Sequence, residues 1–196
     1  MIRTRLVPAL LLCALAAASG CGDSDGGGGT TATASVSGDA IPFNGQDRRI
    51  EGATISILEF PDRSMVTGAD GHFAFDGIPV GSEVSFVMQA PGYHIEQTGT
   101  HVVPPEGLER ITFQGVTNDV YAALAAILGI TPDEEGACQM PTTVTRIGKS
   151  LYDPGAHGEA GATVTIDPPL PAANGPIYFN SRVIPDPSLT ETSDDG

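Results

Sequence analysis

Thr67-Gly68-Ala69-Asp70-Gly71-His72-Phe73-Ala74-Phe75-Asp76 follows Ala53-Thr54-Ile55-Ser56-Ile57-Leu58-Glu59-Phe60 and Met65-Val66. Apolar and polar residues alternate on both sides of Asp70-Gly71, the period of a half-buried strand. Asp tolerates and Gly welcomes positive φ, so Asp-Gly between two alternating runs predicts a β-hairpin. Ala53–Phe60 reads as one strand, and Pro61-Asp62-Arg63-Ser64 as the turn that ends it. Working outward, Ile78-Pro79-Val80-Gly81 turns the chain again, and Glu83–Gln89 is a strand with Val84, Phe86 and Met88 on one face. Ala90-Pro91-Gly92-Tyr93 breaks it, and His94–Val103 and Leu108–Gly115 supply two more strands. About seven short strands within roughly eighty residues, with a turn every eight to twelve, describe a small Ig-like β-sandwich.

Composition agrees with this reading. Gly 25 and Pro 16 in 196 residues are too many for a helical protein, and no glycine-every-third period marks a collagen. Apolar residues at 40% still allow packed cores, while the absence of Trp and 6% aromatics argue against sugar-stacking or base-stacking surfaces. Nine basic residues stand against 24 acidic ones. Arg3 and Arg5 belong to an N-terminal leader, and without them seven face 24, a net charge of −17. Such a surface repels phosphate backbones, so nucleic-acid partners are excluded.

The leader has a short basic start and the apolar run Leu6–Ala18, which has the proportions of a secretory signal rather than of a membrane span. Ala18-Ser19-Gly20-Cys21 resembles the lipobox of bacterial lipoproteins, with Ala18 where that family prefers Leu, Val or Ile. The resemblance implies that Cys21 receives lipid and becomes the mature N-terminus. Ordinary cleavage after Ala16-Ala17-Ala18 is the alternative and would leave Cys21 a plain thiol. Gly22-Asp23-Ser24-Asp25-Gly26-Gly27-Gly28-Gly29-Thr30-Thr31 can bury nothing and favours lipidation, because it reads as a tether. Some fourteen such residues reach roughly 20 Å on average. By the same resemblance, Gly22 in place of Asp directly after the cysteine implies the outer membrane.

Gly52-Ala53-Thr54-Ile55, Thr67-Gly68-Ala69-Asp70-Gly71-His72-Phe73, Ile78-Pro79-Val80-Gly81 and Ala90-Pro91-Gly92-Tyr93 occur in that order. Together they resemble the running signature of the carboxypeptidase regulatory-like (transthyretin-like) domain. The resemblance spans about residues 35–115 and implies an accessory β-sandwich without catalytic residues. Hydroxyisourate hydrolases share that fold but rely on a Tyr-Arg-Gly-Ser C-terminus; Ser193-Asp194-Asp195-Gly196 stands here instead.

Residues 116–129 change character. Thr117 or Asn118 can cap a helix, Asp119 suits its first turn, Gly129 stops it, and Val120, Leu124, Ile127 and Leu128 form one face. Thr131-Pro132-Asp133-Glu134 starts another turn that Gly136 cuts off, and Thr142-Thr143-Val144-Thr145-Arg146-Ile147 reads as a strand. A weak repeat follows. Glu51-Gly52-Ala53-Thr54-Ile55-Ser56-Ile57 recurs as Ala160-Gly161-Ala162-Thr163-Val164-Thr165-Ile166, and Thr67-Gly68-Ala69-Asp70-Gly71 as Thr192-Ser193-Asp194-Asp195-Gly196. Nothing matching His72–Gln114 follows, so the second unit reads as incomplete, with the strand-like Pro176-Ile177-Tyr178-Phe179 inside a Pro-rich connection.

Candidate chemistry is sparse. His72, His94, His101 and His157 form no His-x-x-Glu or His-Glu-x-x-His pair, so the zinc arrangement of a metallocarboxypeptidase is absent from the sequence. Asp70, Asp76, Asp194 and Asp195 lie near glycines, but without the twelve-residue spacing of a calcium loop. Nucleophile-elbow, phosphate-loop and dinucleotide motifs are lacking. Cys138 stands alone in an oxidising compartment, either as a small buried hydrophobe or as a disulfide partner.

The sequence therefore predicts a mainly β, lipid-anchored cell-envelope protein. Its parts are a signal peptide (1–20), a Gly-rich tether (21–34), a carboxypeptidase regulatory-like sandwich (35–116), a helical connector (117–138) and a partial second β unit (139–196). No catalytic, cofactor-binding or metal residue is expected, and Cys21 is the lipidation site. The expected role is a non-enzymatic module for binding, adhesion or spacing, with a membrane and a protein or polysaccharide as partners. The alternative is an accessory domain supporting a separate hydrolase or carbohydrate-processing partner.

Overall fold

The computed structural model describes residues 31–45, 47–149, 158–171 and 174–194. The leader, Cys21, most of the tether, His157 and Asp195 lie outside the described residues. The chain is mainly β, a β-sandwich with one short helix among the described residues.

β1 (Thr33–Pro42) is the central strand of a three-stranded sheet, antiparallel to β4 (His72–Pro79) and parallel to β9 (Leu108–Gly115). A four-stranded sheet runs in the order β3 (Phe60–Val66), β2 (Thr54–Ile57), β6 (Phe86–Gln89), β7 (Glu96–Gln97). β5 (Glu83–Val84) and β8 (His101–Val102) make a small third ladder. Alternate residues of the two larger sheets meet in one core, with Val36 and Ala40 from β1, Ile55 and Ile57 from β2, Phe73 and Phe75 from β4, Phe86 and Met88 from β6, and Ile111 and Phe113 from β9. Phe73 is its hub, with ring centroids 6.3 Å from Phe75, 5.9 Å from Phe86 and 6.0 Å from Phe113.

The structure corrects two turns. Asp70-Gly71 does not join paired strands: β3 pairs with β2, whereas β4 pairs with β1, so the turn carries the chain from one sheet to the other. Gly71 N donates to Gly68 O at 2.9 Å and the Asp70 carboxylate takes the His72 N–H at 3.2 Å. Gly71 has φ +64°, and a Cβ there would lie 2.7 Å from the Ala40 carbonyl oxygen, which excludes other residues twice over. The strand read as Ala53–Phe60 is two strands, because the chain reverses at Leu58-Glu59. Pro61, Asp62 and Arg63, read as a turn, instead bulge from β3 between the pairs Ile57↔Phe60 and Ser56↔Ser64. β3 is an edge strand, where a proline without an N–H costs no ladder bond.

α1 (Asn118–Leu128) is capped by the Thr117 hydroxyl, which accepts the Val120 N–H at 3.3 Å, and ends on left-handed Gly129. Its buried side differs from the expected one. Ala125 is buried and Tyr121, Leu124 and Leu128 are half-buried, while Val120 and Ile127 are exposed. Tyr121, on the same side as Ala125, stacks on His94. Residues 133–137 form the expected single turn, closed by the Ala137 N–H on Asp133 O at 3.0 Å.

Beyond it, Thr142–Ile147 is not a strand: no described residue pairs with it in a ladder. β10 (Tyr178–Phe179) and β11 (Pro185–Asp186) form a short antiparallel pair. Phe179 lies 6.3 Å, centroid to centroid, from Phe43, and Gln114 Nε2 donates to Thr143 Oγ1 at 3.2 Å, so this segment touches the first sandwich.

Candidate functional site

β7 inverts its hydropathy. In the ladder Glu96 stands opposite Met88, and cross-strand partners share a face. Met88 is in the core, so Glu96 points inward, and Ile95 is left outside at 62% exposure. Neighbouring bonds fix this register. His94 N donates to Val116 O at 2.8 Å, Val116 N donates to Glu96 Oε1 at 2.7 Å, and Tyr93 bridges to Thr117. Burial lifts the Glu96 carboxyl to about 7, against the opposing pull of the Val116 N–H. An inward charge on an edge strand also discourages further strands from adding there. Nothing in the sequence flagged Glu96, because simple alternation would place Ile95 inside.

Outward-facing Ile95 and half-buried Tyr93 border a shallow depression of about 290 Å³, which Gly52, Thr54, Gln89, Ala90 and Pro91 complete. Val66, opposite Thr54 in the ladder, adds a second apolar side chain at 61% exposure. The lining is uncharged and open to solvent, in contrast to the acidic chain around it. Next to it the His94 and Tyr121 rings stack at 3.9 Å and 11°.

The residues singled out by sequence are not brought together. His72 is exposed on β4, with Nδ1 2.8 Å from Asp39 Oδ1. Asp70 turns onto the His72 N–H, and Asp76 accepts the Ser35 hydroxyl at 2.6 Å while its carbonyl takes Arg63 Nη1 at 3.1 Å. Asp194 is exposed at the far end of the chain. Among the described residues, no group of three His, Cys, Asp or Glu side chains could hold a metal ion. Cys138 is free and exposed, which removes the small-buried-hydrophobe reading. Among the described residues, no helix is long and apolar enough to cross a membrane.

No family model and no curated protein matches the chain. Among solved structures it is similar to the wild-type catechol 1,2-dioxygenase of Acinetobacter radioresistens and to a single-substitution mutant of that enzyme. Each is 14% identical, with a TM-score of 0.34 over 61% of this chain and 59% of the dioxygenase chain. The alignment thus spans less than two thirds of the enzyme, and at that TM-score the likeness carries no argument about this chain.

Proposed function

We propose that the chain is a lipid-anchored cell-envelope protein whose first unit is a non-enzymatic sandwich of the carboxypeptidase regulatory-like kind, serving as a binding, adhesion or spacing module. One observation carries the reading: the residues behind the resemblance hold backbone together. Thr67 Oγ1 accepts the Ala53 N–H at 3.0 Å and donates to Ile50 O at 2.7 Å. Gly71 carries the chain between sheets, Gly81 N donates to Val103 O at 2.8 Å, and Tyr93 N closes a turn on Ala90 O at 3.1 Å. A motif employed in scaffolding supports a module that presents its surface. The uncharged depression at Tyr93 and Ile95 is the part of that surface best suited to a protein or polysaccharide partner. Cys21 supplies the anchor, and the Gly-rich stretch after it supplies reach.

Detergent phase partitioning of the full chain expressed with its leader tests the anchor. The native protein enters the detergent phase, and Cys21→Ser moves it to the aqueous phase or leaves the leader uncleaved. Equal aqueous partitioning of both forms would overturn the reading. A pull-down from envelope extract with wild-type and Ile95→Asp baits tests the surface. Loss of a bound protein or polysaccharide with Ile95→Asp supports it, and an identical set with both baits counts against it.

A further inference from the structure

β7 is held in a register that its own residues oppose. Glu96 stands opposite Met88 and faces the core, while its apolar neighbour Ile95 is 62% exposed. A slide of one residue exchanges the side chains of a strand between its two faces. Here such a slide puts Ile95 opposite Met88 and turns Glu96 to water. Burial of an isoleucine and hydration of a carboxylate both favour the slid form. Hydrogen bonds keep the present one. Val116 N donates to Glu96 Oε1 at 2.7 Å and His94 N to Val116 O at 2.8 Å. Asn118 N donates to Gly92 O at 3.0 Å, and Thr98 N to Phe86 O at 2.9 Å. The Glu96 carboxyl accepts the Val116 N–H with or without its proton, but only the protonated form enters the core without a charge.

The segment has room to slide. β7 has two residues and forms the edge of its sheet, so few ladder bonds resist. Exposed Gly92 and Gly99 flank it, and a Cβ at either would meet nothing within 4 Å, so the two flanks can give and take one residue. Among the described residues, β6, β2, Val116 and Thr117 turn no titratable side chain toward Glu96. Beside Ile50, Arg49 and Glu51 are exposed, and Glu109 and Arg110 lie at the end of β9 away from Gly115. Tyr93 and His94 share its segment, and α1 brings Asp119 and Tyr121, with Glu134 acting on Tyr121. Burial lifts the inward carboxyl from 4.5 to about 7. Turned to water it regains the lower value. The inward form therefore holds its proton more tightly, and its share falls as pH rises through that window. From pH 5 to pH 8 the balance moves toward the slid form by up to about seventyfold.

We propose that β7 is a proton-operated register switch: with its proton in place Glu96 holds the present pairing, and on losing it the strand slides by one residue, so that Ile95 replaces Glu96 against Met88. The slide breaks the bonds from Glu96 and His94 to Val116 and carries His94 off the Tyr121 ring, which releases the entry of α1 from the sandwich. It also withdraws Ile95 from the shallow depression, whatever that depression contacts.

NMR on the full chain, labelled at isoleucine and methionine methyl groups, tests this. Between pH 5 and pH 8 the Ile95 methyl gains a contact with the Met88 methyl, and the Tyr121 ring resonances leave their stacked positions. Both changes share the midpoint of the Glu96 carboxyl titration, while the Ile55 and Ile57 methyls keep their positions. Glu96→Gln retains His94 but lacks the titrating carboxyl, and shows the low-pH pattern throughout. Ile95→Ser removes the gain from burial, so the Tyr121 change moves to higher pH or disappears. The proposal is overturned if the Ile95 contacts stay constant while Glu96 titrates, or if Ile55 and Ile57 lose their native positions in the same step, which is unfolding. A transition that persists in Glu96→Gln would assign it to His94 and overturn the proposal, as would an unmoved midpoint in Ile95→Ser.

Discussion

Replacing Glu96 by Gln removes a charge from the inner face of an edge strand while keeping the oxygen that accepts the Val116 N–H at 2.7 Å. Burial raises the Glu96 pKa from 4.5 to about 7 in the folded chain. Between those values the native chain retains a proton that the unfolded chain has lost, so this group's contribution falls as pH rises through the window and stays low above it. That rise corresponds to roughly 3 kcal/mol at most. Partial exposure and salt screening reduce this to about 1–2 kcal/mol. Glu96→Gln therefore exceeds the wild type in stability by about 1–2 kcal/mol at pH 8 and matches it within about 0.5 kcal/mol at pH 5. Urea unfolding followed by far-UV circular dichroism at several pH values measures the difference, which cancels the titration of the other carboxylates. A difference that stays flat from pH 5 to pH 8, or a glutamine variant weaker than wild type at pH 8, would refute the inward, desolvated placement of Glu96.

Gly71→Val forces a branched residue to φ +64° and drives its Cβ against the Ala40 carbonyl, so it costs about 3 kcal/mol or more. Gly99→Val, with nothing within 4 Å of its Cβ, changes stability by less than about 0.5 kcal/mol. Parallel thermal melts compare them, and equal midpoints would contradict the sheet-to-sheet crossing. Thr67→Val keeps the volume but strands the Ala53 N–H and the Ile50 carbonyl, a loss of about 1–3 kcal/mol in denaturant unfolding. Thr192→Val leaves residues 54–57 with wild-type protection in hydrogen exchange, since the hydroxyl it removes bonds only to residues 159 and 162.

The helix with its Thr117 and Gly129 caps and the apolar core positions are legible because each rests on local periodicity or turn chemistry. Strand number is not: Glu83–Gln89 and His94–Val103, each read as one strand, are split between two sheets, and nine strands rather than about seven form among the described residues between Thr33 and Gly115. Pairing is not local. Asp70-Gly71 announces a reversal, but only the partner of each flanking strand decides between a hairpin and a crossing, and those partners, β2 and β1, lie up to about forty residues away. Pro61 reads as a turn because proline is rare inside sheets, and only the edge position of β3 makes it harmless. Thr142–Ile147 has a strand's composition but no ladder partner among the described residues, and composition cannot supply one. The inversion at Ile95 and Glu96 defeats alternation for the same reason: Val116, twenty residues on from Glu96, holds the register. That inversion also creates the apolar rim of the depression, so the least legible part of the sandwich is the part proposed to face a partner.

The claim that this sandwich stands in the cell envelope on a lipid tether is tested most directly by intact-mass and N-terminal peptide analysis of protein purified from membranes. The account predicts a mature chain that begins at Cys21 and bears a thioether-linked diacylglycerol on its sulfur. An unmodified N-terminus at Ser19, with Cys21 a free thiol, would contradict it.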